Sequence, residues 1–291
     1  MTHYTLLATI ALLLLAAAAG AGAQTLMIGD INLSVALLCA IIVLALNWLA
    51  FIPAWIRQTE HFFDLTGSLS FIAATGTAVY LTTAPDARAL LLATLVAVWA
   101  FRLGTFLFLR VRTDGQDGRF DTIKPHFSQF LMTWTLQALW VIASSAMALA
   151  AITTSSGKPL GPVAFIGLGL WITGFLIECI ADWQKRRFKH RLKQQSNPEQ
   201  PFINTGLWAW SRHPNYFGEI LLWLGVAFIA APALSGWQWV TLVSPVFVIL
   251  LITKISGIPL LEKRANARWQ DNTAYQRYKL KTPVLIPKPP A

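Results

Sequence analysis

Long apolar runs recur along the chain at about residues 32–55, 66–84, 88–109, 129–154, 162–181, 216–232 and 236–257, behind an opening apolar stretch from Met1 to Gln24. Each run is near the ~17–25 residues that carry a helix across the hydrocarbon core of a bilayer. No ten-residue alternation of apolar and polar positions accompanies them, so a barrel is excluded and lipid leaves only helices. The pattern predicts an all-α integral membrane protein: a polytopic bundle of seven transmembrane helices, with an additional N-terminal helix if the opening stretch is retained. That stretch ends Ala21-Gly22-Ala23-Gln24, which resembles a cleavage site, yet it lacks the Lys or Arg that starts a leader. Residues 1–23 fit a removed leader and an extra membrane helix equally. Residues 24–291 read as one domain, without a repeat or a low-complexity linker.

Composition agrees with the periodicity. The chain is 55% hydrophobic and only 12% charged, about half the charged share of a soluble domain. Its net charge of +10 has a topological cause. Of 23 Lys and Arg, only Arg88 and Lys158 fall in the connections placed outside by simple alternation of the runs. The cation-rich side is cytoplasmic, and the C-terminus lies there. A basic face beside anionic lipid accounts for the charge, so no nucleic-acid partner is implied. Cys39 and Cys179 sit inside apolar runs and read as small buried residues. The five histidines are scattered and no HExxH occurs, which leaves no metal site. There is no Walker loop, no GxGxxG after a strand and no GxSxG elbow. Gly167-Leu168-Gly169 suits close helix packing instead. A redox enzyme built from this chain must borrow a soluble organic cofactor, and a phosphate-bearing one suits a basic vestibule.

Polar residues concentrate in a few places. The densest is Ser211-Arg212-His213-Pro214-Asn215-Tyr216-Phe217-Gly218-Glu219, which runs directly into an apolar segment. Pro214 suits the first position of a helix. Arg212 and His213 then stand just outside a helix N-terminus, where free N–H groups already favour an anion. Asn215 and Glu219, four apart, share a face one turn inside. Polar groups entering a membrane helix are expensive, which favours a site over a mere basic flank. Upstream, Glu178, Asp182, Lys185, Arg186 and Lys189 fall at helical spacing on a face that begins acidic in the membrane and becomes basic outside it. A third cluster, Gln58-Thr59-Glu60-His61 with Asp64, Thr66 and Ser68, suggests a polar lining to a cavity. In the 110–128 connection, Asp-Gly pairs mark turns. The tail is basic and aromatic, and its tyrosines fit either interfacial anchors or a cover over a ligand.

The 211–219 stretch resembles the C-terminal signature of the steroid 5-alpha-reductase family, including bacterial members known only as a domain of unknown function. The run from Glu178 and Asp182 to Lys189 resembles that family's cofactor helix, and Tyr278 with Pro283, Leu285, Ile286 and Pro287 fits its closing segment. The resemblance covers roughly the last 120 residues well and the first half loosely. It implies a seven-helix enzyme of a bacterial inner membrane that uses NADPH to saturate an enone, with an apolar lipid or 3-oxo-4-ene steroid arriving from the bilayer. By the resemblance, Glu178, Asp182, Lys185, Arg186, Lys189, Arg212, His213, Asn215, Tyr216, Glu219, Lys263 and Tyr278 hold the dinucleotide. The family's adjacent Gln-Glu pair, which holds the substrate carbonyl, is split here into Gln58 and Glu60 by Thr59, and its carbonyl-binding tyrosine falls near Trp99. Glu60, protonated by burial, is then the expected donor to the ketone oxygen, with Gln58 beside it. Arg-His-Pro-x-Tyr is also similar to the isoprenylcysteine carboxyl and phospholipid methyltransferases, which bind S-adenosylmethionine and carry a paired Glu-Glu where this chain has only Glu262. A lipid or sterol transporter is the non-enzymatic alternative.

Overall fold

The computed structural model describes residues 2–114, 118, 120–154, 156–194 and 201–290. Most of the Asp-Gly turn segment expected near 114–118 lies outside the described residues. The chain forms two compact units, Met1–Phe165 with Val226–Ser244, and Ile166–Gly225 with Pro245–Ala291.

The first unit opens with α1 (Thr2–Ala19). Ala8, Leu12, Ala16 and Ala19 are its buried stripe, and the helix packs chiefly on α5. A two-stranded antiparallel hairpin follows, β1 (Thr25–Ile28) and β2 (Ile31–Ser34), turned by Gly29-Asp30 with Gly29 at φ +60. The apolar pattern does not anticipate this hairpin; the Gly-Asp pair, of the kind that closes two-residue turns, is its signal. The Ser34 side chain accepts from Leu37 N and caps α2 (Val35–Ile56), and α3 (Phe63–Leu81) comes next. Asp86 accepts from Ala89 N at the start of α4 (Ala87–Asp114). Then α5 (Phe127–Thr154) runs through the middle, buried at every residue from Val141 to Thr153. Its Ala and Ser positions let α1, α2 and α3 approach closely.

Several polar side chains inside this unit pair with one another, as a lipid environment favours, although Trp134 Nε1 and Ser144 Oγ are buried without a hydrogen-bond partner among the described residues. Gln137 Nε2 donates to Asn47 Oδ1 at 2.9 Å and to Phe63 O at 3.0 Å, while Asn47 Nδ2 donates to Ser70 Oγ at 3.1 Å. Trp99 is fully buried, edge-on to Phe71 at 5.1 Å. The two cations that break the charge asymmetry have structural work. Arg88, 1% exposed, donates to the carbonyls of Ile229 and Pro159, and Lys158 donates to Pro232 O. The carbonyls of Ile229 and Pro232 lie at helix ends, where intrahelical donors run out.

The second unit begins within α6 (Pro162–Lys193). A short helix α7 (Leu207–Trp210) leads to α8 (Pro214–Ala230). The last apolar run, expected as one helix, is interrupted. It consists of a 3-10 segment (Gly236–Leu242), α9 (Val243–Leu250), a π turn (Leu251–Ile255) and α10 (Ile258–Trp269), followed by α11 (Thr273–Lys281). Pro245, Gly257 and Pro259 stand near these joints, where a regular hydrogen-bond ladder is hardest to keep. Among the described residues, six helical stretches are long and apolar enough to cross a membrane. The seventh expected span, α3, falls short because Thr66, Ser68, Ser70 and Thr75 dilute its hydropathy. It packs against α2, α4 and α5. The protein is an all-α polytopic membrane protein.

Candidate functional site

Within the second unit, α6 and α8 cross backbone to backbone. A Cβ on Gly218 would lie 2.5 Å from Gly174 O, and one on Gly225 would lie 2.5 Å from Gly167 O. The glycines are seven apart on each helix, so two contacts fix the crossing. The sequence suggested a packing role for both glycines of Gly167-Leu168-Gly169; Gly167 has it, and Gly169 does not, because its Cβ position meets nothing within 4 Å.

The segment that enters α8 is pinned on both sides. Gly206, at φ +62, turns the chain so that Leu207 N donates to Gln184 Oε1 on α6, and Trp208 Nε1 donates to Ala181 O. From the other side, Arg212 N donates to Pro283 O, Ser211 Oγ to Leu285 O, Lys288 N to Trp210 O and Tyr278 Oη to Trp208 O. The tail therefore lies along residues 208–212 as a strap, and His213 N donates to Ser211 Oγ before the helix begins.

Held this way, Arg212 and His213 meet α10. Glu262 Oε2 pairs with Arg212 Nη1 at 3.0 Å and Glu262 Oε1 with His213 Nε2 at 2.9 Å. Both basic side chains are about nine-tenths buried, at 10% and 7% exposure. They line a cavity of about 240 Å³ with Lys185, Arg264 and Arg268 as further cations and Glu262 as the carboxylate. Aromatic rings close it: Phe202 packs on Tyr275 at 5.1 Å and Tyr278 at 5.5 Å, and Lys185 Nζ sits 4.6 Å over Trp208. Arg212 Nε and His213 Nδ1 are buried with no hydrogen-bond partner among the described residues. Such groups are rare, and each calls for a ligand or water. Burial holds the Tyr278 phenol well above its usual pKa, so it stays a neutral donor.

Of the residues expected at the site, Lys185, Arg212, His213 and Tyr278 line the cavity. Asp182 and Asn215 pair with each other at 3.3 Å, with Asp182 and Glu178 buried. Tyr216 stacks on His213 at 5.8 Å, and Glu219 is half-buried one turn further along. Arg186, Lys189 and Lys263 are exposed and do not line it. The sequence reading did not place Glu262, Arg264 and Arg268 of α10 or Phe202 at the site, whereas Tyr275 is one of the tail tyrosines read as an anchor or a cover.

Gln58 and Glu60 belong to the first unit. Gln58 is exposed at φ +50, and its amide donates to Trp55 O. Glu60 is buried, but Lys124 Nζ lies 2.6 Å from its Oε2. An ammonium at that distance favours the charged form of a carboxyl, opposite to the burial on which the expectation of a protonated acid rested.

Burial pushes the His213 imidazole below its usual 6.5, against the opposing pull of Glu262 and with Lys185 and Arg212 acting in the same direction as burial. The unfolded chain therefore takes up that proton first, and stability rises with pH in this window. His213's contribution is full above pH 6.5 and is lost as pH falls through the lower folded value. Thermal unfolding in detergent should show a loss on acidification that His213→Asn flattens. An identical profile in the variant would assign the loss to other groups.

The comparisons with known proteins bear on this site. A family model described as a protein of unknown function, DUF1295, matches residues 50–282, and that family is related to the steroid 5-alpha-reductases. Two uncharacterized proteins of Schizosaccharomyces pombe are similar to the chain. One is 26% identical, with 54% of each chain covered; the other is 28% identical over 71 residues, 24% of each. The chain thus spans about half the length of the first and a quarter of the second. No solved structure matches. Since residues 50–282 include most of both units and every cavity-lining residue named above, the protein belongs to the DUF1295 family.

Proposed function

We propose that this protein is a membrane reductase that takes NADPH from the cytoplasm and saturates the carbon-carbon double bond of an apolar enone, a 3-oxo-4-ene steroid-like lipid drawn from the bilayer. One observation carries the cofactor assignment: four cations and one carboxylate line a cavity walled by aromatic rings, where Arg212 Nε and His213 Nδ1 are buried without a hydrogen-bond partner among the described residues. That set fits a phosphorylated nucleotide. Arg212, Lys185, Arg264 and Arg268 would hold phosphate oxygens, and the flat faces of Trp208, Trp269 and Tyr275 would pack on rings. At about 240 Å³ the cavity lies below the ~300–1,000 Å³ of a whole small-molecule pocket, so it would take one end of the dinucleotide, a phosphate with its ribose.

Bound NADPH would supply a hydride to the β carbon of the enone and leave as NADP⁺, and the enolate so formed would take up one proton at its α carbon. The protein's part is to bind and orient, to keep water out, and to provide a donor to the ketone oxygen as it gains charge. With Lys124 Nζ 2.6 Å from its Oε2, Glu60 would serve as that donor only in its protonated form. The same cavity disfavours S-adenosylmethionine, whose sulfonium centre would join four cations. Arg264 and Arg268 replace Arg186 and Lys189 as the groups that would favour NADPH over NADH.

The test is a fluorescence titration of the purified protein with NADPH, NADH and S-adenosylmethionine, followed by assays on a panel of membrane-soluble enones. NADPH should bind tightest, and Arg212→Ala should weaken it by about 1.5–3 kcal/mol, the scale of a hydrogen bond to a charged group. Tighter binding of S-adenosylmethionine, with methyl transfer and no enone reduction, would replace this reading with the methyltransferase one.

A further inference from the structure

Glu262 is the unexpected member of the site, and its geometry says more than that the cavity is balanced. A carboxylate only accepts hydrogen bonds. The 2.9 Å contact between Glu262 Oε1 and His213 Nε2 therefore requires the proton to be on Nε2. In a neutral ring the other nitrogen, Nδ1, is then a bare lone pair. Nδ1 is buried and has no hydrogen-bond partner among the described residues, in a residue that lines the cavity. The ring cannot drift away, because Tyr216 stacks against it at 5.8 Å and 19° and its backbone N–H is bound by Ser211 Oγ. The second oxygen of Glu262 holds Arg212, whose Nε is also without a partner. One carboxylate thus leaves an acceptor and a donor unused side by side, at adjacent residues.

We propose that Glu262 is a positioning residue that locks His213 in the Nε2–H tautomer, so that Nδ1 accepts a hydrogen bond from a ribose hydroxyl of the bound ligand while Arg212 takes the neighbouring phosphate. The pairing reads a hydroxyl next to an anion, which selects a phosphorylated sugar over a bare anion. The ligand half rests on the nucleotide reading of this cavity; the tautomer half does not. Other charged groups around the ring are Lys185 on α6, Arg264 and Arg268 on α10, and the Tyr278 phenol on α11, together with Arg212 itself. Lys185 and Arg212 oppose protonation of the ring and Glu262 favours it, so at neutral pH the ring stays neutral with its acceptor open.

The experiment is nitrogen NMR of full-length protein labelled with ¹⁵N-histidine in detergent, with the His213 signals identified by their loss in His213→Asn. Above its protonation midpoint, wild-type His213 should show a protonated Nε2 and an unprotonated Nδ1. Glu262→Gln should mix the tautomers and move the midpoint down, since the carboxylate that favours the imidazolium is gone; Glu262→Asp, which keeps the charge, should restore the midpoint in part. A proton on Nδ1 in the wild type overturns the proposal without any variant having to fold, and so does an unchanged tautomer in Glu262→Gln. Added NADP⁺ should then shift the Nδ1 signal in the direction of an accepted hydrogen bond, whereas sulfate, which has no hydroxyl to donate, should leave it in place. NADP⁺ that binds without moving Nδ1 refutes the ligand half. Failure of NADP⁺ to bind, with the tautomer as stated, refutes the nucleotide reading and the ligand half with it, and leaves the Glu262–His213 lock standing.

Discussion

Gly218→Val should leave little folded protein to purify, whereas Gly169→Ala should be recovered at wild-type yield or better. The two glycines lie on helices of the same crossing but meet different surroundings. A Cβ at 218 would stand 2.5 Å from Gly174 O and 2.8 Å from Glu178 N, both backbone atoms. A flexible side chain could swing aside, but here α6 and α8 would have to separate along their length. Overpacking a core costs about 1–3 kcal/mol where side chains absorb it; with backbone on both sides the cost lies at or above the top of that range. In a membrane the close approach is itself the attraction between helices. Gly169, by contrast, has open space around its Cβ position, and alanine there gains the ~0.5–1 kcal/mol by which it exceeds glycine in a helix. The site should fail together with the crossing, because α6 carries Lys185 and α8 follows directly on His213. Thermal unfolding of both variants in detergent measures this. Wild-type unfolding in Gly218→Val would mean that the crossing is looser than its backbone contacts imply.

These glycines also show how far sequence reading reached. The membrane helices were legible because lipid demands long apolar runs, and only α3, thinned by hydroxyl side chains, departs from that rule. The hairpin at 25–34 was hidden because Leu26, Met27, Ile28 and Ile31 prolong the apolar texture of their neighbours. Arg212 and His213 stood out because polar residues entering an apolar helix are costly. Glu262 did not, since beside Lys263 and Arg264 it looks like part of a solvated charged stretch. What distinguishes it is a partner 49 positions away, and nothing local encodes that. The cationic residues show the reverse: Arg186 and Lys189 have the right composition for a phosphate but do not line the cavity, while Arg264 and Arg268, exposed as they are, do.

Glu60 is the sharpest case of the same kind, and the second large effect is expected there. Sequence marks it as a carboxyl at the edge of the membrane but cannot show that Lys124, 64 residues on, lies 2.6 Å away. Glu60 has 2% of its side chain exposed and Lys124 15%, with Asp121 a more distant 3.9 Å from the ammonium. Removing one member of such a pair strands the other's charge out of water, which typically costs about 3–5 kcal/mol, whereas removing both is often close to neutral. Glu60→Gln and Lys124→Met should therefore each destabilise the protein by roughly 3 kcal/mol, with Glu60→Gln at the lower end if the amide still accepts from the ammonium. The double variant should recover most of that loss, and the interaction energy from the full cycle isolates the pair. Denaturant unfolding in mixed micelles is the measurement. A neutral carboxylic acid at Glu60 predicts the opposite pattern: Glu60→Gln would barely move stability, and the two changes would simply add. Additive single effects would thus return Glu60 to the role of a proton donor, and a strong positive coupling would fix it as the anion that keeps Lys124 in place.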